Sequence, residues 1–296
     1  MIDIKTNKVR HKTLTVVIPC FNTHTYLDQT ILSVRSQTLP DIEIIVVDDG
    51  STNSETIAFL DNLGSDVKLI RQANRGLPAA RNIGFAAAQG DFILPLDADD
   101  WLEPSCAAEL IELLARHPDL AFAFSHMQME GEGRGVLAKD YNFFEQLFLN
   151  QLPYCMMLRK KVWRDIGGYD ESMRRGYEDW EFNIRLGDAG YFGAVVPKPL
   201  FHYRIAQTGM LLSTSSIIHG ELWETIRRKH AKLYEFYSLF ELWRLWHHHK
   251  STYPLWLYPL WLAAAKMLPQ KLFVIIFKFL RRFSLGRRVT SASISN

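Results

Sequence analysis

Residues 91–101 read Asp-Phe-Ile-Leu-Pro-Leu-Asp-Ala-Asp-Asp-Trp. Phe92 to Leu96 is an apolar run with the length and flanks of a strand buried on both faces, as in a parallel sheet. It breaks into three carboxylates within four positions, Asp97, Asp99 and Asp100. In open α/β sheets, ligands gather beyond the carboxyl ends of the strands. Hard oxygens clustered there suit Mg²⁺ or Mn²⁺, which proteins hold with one or two carboxylates while substrate phosphates complete the shell. The same residues also read as a solvated acidic turn that caps the helix starting near Pro104.

Upstream, Leu14 to Ile18 is a β-branched strand closed by Pro19, and Leu27, Ile31 and Val34 repeat at helical spacing. Glu43 to Val47 is a second strand, ending in Asp48-Asp49-Gly50-Ser51. Thr52-x-x-Glu55 reads as a capping box for a helix that stops at Gly64. Val67 to Ile70 is a third strand, and Pro78 opens a helix that Gly90 ends. The order β-α-β-α-β-α-β predicts a parallel sheet with right-handed crossovers.

Downstream, Pro104 to Arg116 is an amphipathic helix and Leu120 to Phe124 a strand. Gly131, Gly133 and Gly135 read as a loop, with the wrong spacing for a dinucleotide fingerprint. A short helix over 142–150, a strand over 154–158 and a helix over 161–166 follow. Tyr177-Glu178-Asp179-Trp180 opens another helix, and strands over 191–196 and 200–204 are separated by Pro197 and Pro199.

A chain of 296 residues accommodates one large α/β domain with an appendage. The net charge of +2 points to no nucleic-acid partner, but it hides an asymmetry. Residues 221–296 carry 13 Lys and Arg against 4 Asp and Glu, and five of the eight Trp lie after Gly220. The three widely spaced cysteines fit free thiols in a reducing compartment. The polar first ten residues give no sign of a signal peptide. No stretch approaches the roughly 18 to 20 apolar residues that span a bilayer. A cytoplasmic main body is therefore expected.

Four stretches together resemble the inverting glycosyltransferases of family 2, which have the GT-A fold. They are Val17-Ile18-Pro19-Cys20-Phe21-Asn22, Val46-Val47-Asp48-Asp49-Gly50-Ser51, Ala79-Ala80-Arg81-Asn82-Ile83-Gly84 leading into Leu96-Asp97-Ala98-Asp99-Asp100, and Gly167-Gly168-Tyr169-Asp170 leading into Glu178-Asp179-Trp180. The resemblance runs from about Thr13 to Arg204. It implies an α/β GT-A domain, a mostly parallel sheet flanked by helices, over 13–219. Residues 13–100 would bind the nucleotide sugar and 101–219 the acceptor. An extension over 1–12 precedes that domain, and a helical, basic and aromatic region over 220–296 follows it.

The resemblance also implies roles. Pro19 and Phe21 would cradle the base of a nucleotide sugar, most simply a UDP-sugar, and Asp49 would accept a hydrogen bond from that base. Arg81 would lie near the diphosphate, where a cation is expected from charge alone. Asp97 and Asp99 form the DxD signature, with Mn²⁺ or Mg²⁺ on Asp99 and Asp97 serving metal or ribose. Asp179 would be the base that deprotonates the acceptor hydroxyl, and Glu178 would orient the acceptor or exchange roles with it. Related sequences often carry a histidine a few residues after the Tyr-Arg pair, where this chain has Ile205-Ala206-Gln207. That leaves His202 as the nearby candidate for a third metal ligand, against a structural role between aromatics.

Read without the resemblance, Pro19 and Phe21 are a strand end and a core aromatic. Asp48, Asp49, Glu178 and Asp179 are then helix-capping acids, and Arg81 a solvated pair partner. Beyond Gly220, Leu272 to Phe283 pairs an apolar face with Lys271, Lys278, Arg281 and Arg282, as in helices lying on anionic membranes. Trp256, Tyr258 and Trp261 resemble an interfacial aromatic belt, giving an anionic membrane contact over 254–288. The alternative is a helical subdomain packing these aromatics on the catalytic body. The expected activity is transfer of a sugar to a glycan or lipid-linked acceptor, peripheral to the inner face of the plasma membrane. A sugar nucleotidyltransferase and a non-catalytic nucleotide-sugar binding protein are the rivals. The first lacks its Gly-rich basic loop after strand one, where Phe21-Asn22-Thr23 stands.

Overall fold

The computed structural model describes residues 13–205 and 218–268. Its first half repeats strand and helix: β1 (Leu14–Cys20), α1 (Leu27–Arg35), β2 (Glu43–Asp48), α2 (Ser54–Asp61), β3 (Val67–Arg71), α3 (Leu77–Ala87) and β4 (Phe92–Pro95). β1 pairs in parallel with β2 on one side and β4 on the other, and β3 extends the sheet from β2. Every residue of β1 is buried, because helices cover both faces. Val17 points into the layer that holds Phe85 and Trp180. Val16 and Ile18 point into the layer of Leu27, Ile31 and Leu110. Gly84 lets α3 sit directly on the sheet, since a Cβ there would lie 2.2 Å from Val17 Cγ1.

The second half makes the sheet mixed, adding four antiparallel pairings and one further parallel pair. β5 (Trp101–Leu102), α4 (Cys106–Arg116), β6 (Phe122–Gly131), β7 (Gly135–Leu137), α5 (Phe143–Gln146), β8 (Met157–Arg159), α6 (Lys160–Asp165), α7 (Glu178–Asp188) and β9 (Gly193–Ile205) follow in order. The sheet runs β3-β2-β1-β4-β8-β6-β9-β5, with β7 on β6. Three readings of the sequence change here. Gly131, Gly133 and Gly135 belong to the tip of the β6–β7 hairpin. The two expected strands around Pro197 and Pro199 are the single strand β9, whose register slips against β6 at His126. Proline offers no N–H to a ladder, so the strand bulges past the prolines and resumes pairing. The cap of α2 is Asn53, whose side chain accepts from Thr56 N, in place of Thr52.

The helices α8 (His219–Lys229), α9 (Phe236–Trp246) and α10 (Leu257–Met267) dock on the α/β body. Trp223 Nε1 and the Tyr234 hydroxyl both donate to Leu147 O, at 3.2 and 2.7 Å. The Tyr258 hydroxyl donates to the buried Glu145, and Trp246 packs edge-on against Tyr141 and Phe143. Tyr258 is therefore a core residue and no member of an interfacial belt, whereas Trp256 is 63 % exposed. No helix among the described residues is long and apolar enough to cross a membrane. The amphipathic stretch Leu272 to Phe283 and the 1–12 extension lie outside the described residues.

Candidate functional site

The registers Cys20↔Asp48 and Val17↔Pro95 bring the carboxyl ends of β1, β2 and β4 to one edge of the sheet. Phe21, Asp49 and Asp97 leave the strands at that edge. Pro19 is buried in the ladder opposite Val47, while the Phe21 ring is 47 % exposed and free to stack. Asn22 follows with a left-handed backbone, φ 52°, and ties this edge together. Its side-chain oxygen accepts from Thr52 N and Asn53 N, at 2.8 and 2.9 Å.

α3 delivers Arg81 beneath this edge, 1 % exposed. One guanidinium nitrogen donates to Asp97 Oδ1 at 2.8 Å and the other to Glu178 Oε1 at 2.7 Å. The cation lies over the rings of Tyr154 and Tyr169, 4.9 and 5.6 Å from their centres. Its neighbour Asn82 exchanges two hydrogen bonds with the backbone of Tyr169, each 2.8 Å. Arg81 thus joins the β4 turn to the start of α7, which carries Glu178 and Asp179, while Asn82 holds the loop that leads into it.

Tyr177 precedes those acids with φ 64°, a left-handed conformation that costs a non-glycine residue on the order of 1 kcal/mol. Its hydroxyl meets His219 Nδ1 at 2.7 Å and its ring stands edge-on to Trp180, which hold the turn. Asp179 Oδ1 accepts from Trp180 N and Oδ2 from Asn150 Nδ2, both at 2.8 Å.

The carboxyls here hold protons tightly. Burial pushes Glu178 up to about 7, with Arg81 opposing and Asp179 reinforcing the rise. Asp179 is also raised by burial, against the pull of Arg81, Asn150 and Trp180 N. Asp99 is pushed up to about 6 by burial and the charge of Asp97. Asp100 rises well above the carboxylate range through burial, then Asp99 and Asp97. It accepts from Arg204 N at 2.7 Å and from the Tyr154 hydroxyl, so it anchors β9 and Tyr154 to the turn. The Tyr154 hydroxyl in turn accepts from Asp97 N at 2.9 Å.

Three expected roles meet a different arrangement. Asp49 accepts from Gln72 Nε2, Arg75 N and Gly76 N, so its oxygens already hold the 72–76 loop against the sheet edge. Arg81 does not face an open diphosphate site, because both of its terminal nitrogens are held by buried carboxylates. His202, the candidate third ligand, turns Nε2 to Glu103 at 2.7 Å and Nδ1 to Glu130 at 3.2 Å while stacking on Trp101. With both nitrogens engaged and its ring clamped, it is not turned to the Asp97–Asp99 pair. Among the described residues no three His, Cys, Asp or Glu side chains form a ready cation cluster.

Other residues at the site had no sequence signal. Asn150 and Tyr154 sit in an aromatic-rich stretch without periodicity, and only the fold brings them to Asp179 and Asp97. Asn22 and Asn82, by contrast, stand inside the four stretches quoted above, where a short amide suits turn and backbone pairing.

A sequence model described as "Glycosyl transferase family 2" matches residues 15–172. The putative glycosyltransferase EpsH of Bacillus subtilis is 30% identical over 213 residues, 65% of this chain and 60% of that protein. Glycosyltransferase GlyA of Streptococcus pneumoniae is 29% identical over 65% of this chain and 30% of its own length. Chondroitin synthase of Escherichia coli is 26% identical over 60% and 27%. The chain thus spans between about a quarter and three fifths of these relatives. In structure it is similar to S. aureus TarS 1–349, solved in complex with UDP-GlcNAc, with a TM-score of 0.60 and 20% identity over 72% of this chain and 65% of that one. That likeness establishes the GT-A-like fold. The family match begins in β1 and runs beyond the turn that carries Asp97, Asp99 and Asp100, and with it the chain belongs to glycosyl transferase family 2.

Proposed function

We propose that this enzyme moves a sugar from a UDP-sugar to a hydroxyl of a glycan or lipid-linked acceptor, with inversion and with the help of a divalent cation. The observation that carries the reading is the Arg81 bridge, which ties the Asp97 turn to the start of the helix that carries Glu178 and Asp179. Phe21, exposed at the end of β1, stacks on the base. The paired carboxylates of Asp97 and Asp99 form a hard-oxygen donor set that suits Mg²⁺ or Mn²⁺ with diphosphate oxygens completing the shell. Such an ion supplies charge to the departing nucleoside diphosphate. Asp179 takes the proton from the acceptor hydroxyl as that oxygen attacks the anomeric carbon. Its two hydrogen bonds keep the carboxylate available although burial favours the proton. Glu178, tied to Arg81, holds the negative side of the bridge.

UDP is the preferred nucleotide because TarS, of the same fold, was solved with UDP-GlcNAc. The test is a donor screen by thermal shift with Mn²⁺ and Mg²⁺, starting with UDP-N-acetylglucosamine. Stabilisation by UDP-sugars only when metal is present supports the reading. Equal response without metal, or to every nucleoside diphosphate sugar alike, overturns it.

The peripheral position on the inner membrane face belongs to the same proposal. α9 turns Phe236 (87 % exposed), Phe240 and Trp243 outward at one helical stripe, and Trp256 and Leu260 are exposed nearby in sequence. The basic stretch after Leu268 continues from this aromatic region. Cosedimentation with phosphatidylglycerol vesicles, and not with phosphatidylcholine vesicles, is the expected outcome. Equal behaviour with both excludes an anionic surface.

A further inference from the structure

The geometry points to Asn150 as a positioning residue for Asp179: a relay of side-chain amides fixes its orientation so that an N–H, and never a carbonyl, faces the carboxylate. This inference rests on the proposed role of Asp179 as base. An asparagine amide is ambiguous by itself, since its two ends differ only in whether they donate or accept. Here the ambiguity is removed from behind. Gln151 N donates to Gln146 Oε1 at 2.8 Å, which leaves the Gln146 amide nitrogen to donate to Asn150 Oδ1 at 3.0 Å. Asn183 Nδ2 donates to that oxygen as well, at 3.3 Å. With its oxygen held by two donors, Asn150 presents Nδ2 to Asp179 Oδ2 at 2.8 Å.

The relay is built into the core. Gln146, Gln151 and Asn183 are all buried. Gln151 Nε2 continues the chain to Thr252 Oγ1 at 3.2 Å, so the region after α9 also supports it. Lys139 Nζ donates to Asn150 O at 3.0 Å and fixes the backbone of the same residue.

A donor to the ionised carboxylate favours the charged form, and a base must be charged to act. The other groups facing Asp179 are Glu178 on its own helix, Arg81 from α3, Lys139 after β7, and the Tyr169 and Tyr203 hydroxyls. Arg81 is shared between Asp97 and Glu178, so Asn150 is the side chain committed to Asp179 alone. Its removal leaves the burial of Asp179 opposed only by these more distant charges and by Trp180 N.

The test follows the titration of Asp179 directly, in full-length protein labelled with [4-¹³C]aspartate, by carboxyl NMR; the signal is assigned by its loss in Asp179→Asn. In Asn150→Leu, which keeps the volume and removes the donor, the midpoint should rise by about one pH unit, the scale of one lost hydrogen bond to a charged group. Gln146→Met, which leaves Asn150 in place but loosens its amide, should give a smaller shift of the same sign and serves if Asn150→Leu folds poorly. An unmoved midpoint in both variants overturns the positioning role. In UDP release from UDP-N-acetylglucosamine with Mn²⁺, the acid limb of kcat/KM should move with the NMR midpoint. At a pH on that acid limb, below both midpoints, the rate should fall about ten-fold, with the donor KM unchanged. A shifted midpoint with an unshifted rate limb would instead remove Asp179 as the base, and the positioning role with it.

Discussion

Asp97 at the end of β4 and Glu178 at the start of α7 share one buried guanidinium, at 2.8 and 2.7 Å. Two carboxylates and one cation leave the cluster negative, and Arg81 is what makes their proximity tolerable. Breaking a buried pair by removing one partner costs about 3–5 kcal/mol, because an uncompensated charge stays behind. Arg81→Met should therefore lower stability by about that amount at pH 8 in urea melts. The loss should shrink at pH 5, where Glu178, already raised to about 7 by burial, takes up a proton. A loss that is equal at both pH values would mean that packing over Tyr154 and Tyr169, and not charge, is what Arg81 provides.

Asp179→Asn preserves the shape of the side chain and leaves an acceptor for Trp180 N. UDP and Mn²⁺ binding should survive, while transfer falls by roughly 10² to 10⁴, the contribution of a general base. Isothermal titration and initial rates on the same preparation check both halves. Full turnover by this variant would remove Asp179 from the chemistry.

The pH dependence of stability follows from the raised carboxyls. Glu178 at about 7 and Asp99 at about 6 lie above ordinary carboxyl values of about 4. From about pH 4 to 7 the folded protein therefore binds more protons than the unfolded chain, and stability falls as pH rises. The melting midpoint of the metal-free enzyme should drop between pH 5 and pH 8. Mn²⁺ with UDP should flatten that slope, because a cation beside Asp99 offsets the charge that burial opposes. A midpoint that climbs steadily with pH would contradict the assigned shifts.

Phe21 tests the nucleotide end. Stacking of a base on an aromatic ring is worth about 1–3 kcal/mol by alanine substitution. Phe21→Ala should weaken UDP binding by at least about five-fold by calorimetry. Since nearly half of the ring is already in solvent, the melting temperature should hardly change. Unaltered affinity would place the base elsewhere.

Much of this site was legible because its chemistry sits at strand ends. β1, β2 and β4 are buried on both faces, so they read as apolar runs, and Phe21, Asp49 and Asp97 follow where such runs stop. The pairing of Asp97 with Glu178 was not legible, since it depends on how α3 and α7 meet. The protein partners of Arg81 and Asp49 were not legible for the same reason. A charged residue type announces that it needs a partner, but only packing decides whether that partner is ligand or protein. His202 shows the converse: its aromatic and acidic neighbours in space, Trp101, Glu103 and Glu130, come from two other strands and the turn after β5.

The helices beyond Gly220 read as an appendage in the sequence, and the described part packs on the α/β body. Trp223 is 1 % exposed, is stacked beside His219, and donates to Leu147 O. His219 in turn meets the hydroxyl of Tyr177, the left-handed residue that aims Glu178 and Asp179. Trp223→Ala removes a large buried side chain and should cost about 3–5 kcal/mol. If α8 is integral to the domain, urea unfolding of the variant stays a single transition at lower denaturant, and the catalytic rate falls because Tyr177 loses its support. If α8 is instead a separate unit, α8 melts early while UDP binding and the main transition keep their parent values. Paired fluorescence and circular-dichroism melts separate the two, because three of the seven tryptophans left in the variant, Trp243, Trp256 and Trp261, lie on or beside α9 and α10 outside the α5–α9 contact made by Trp246.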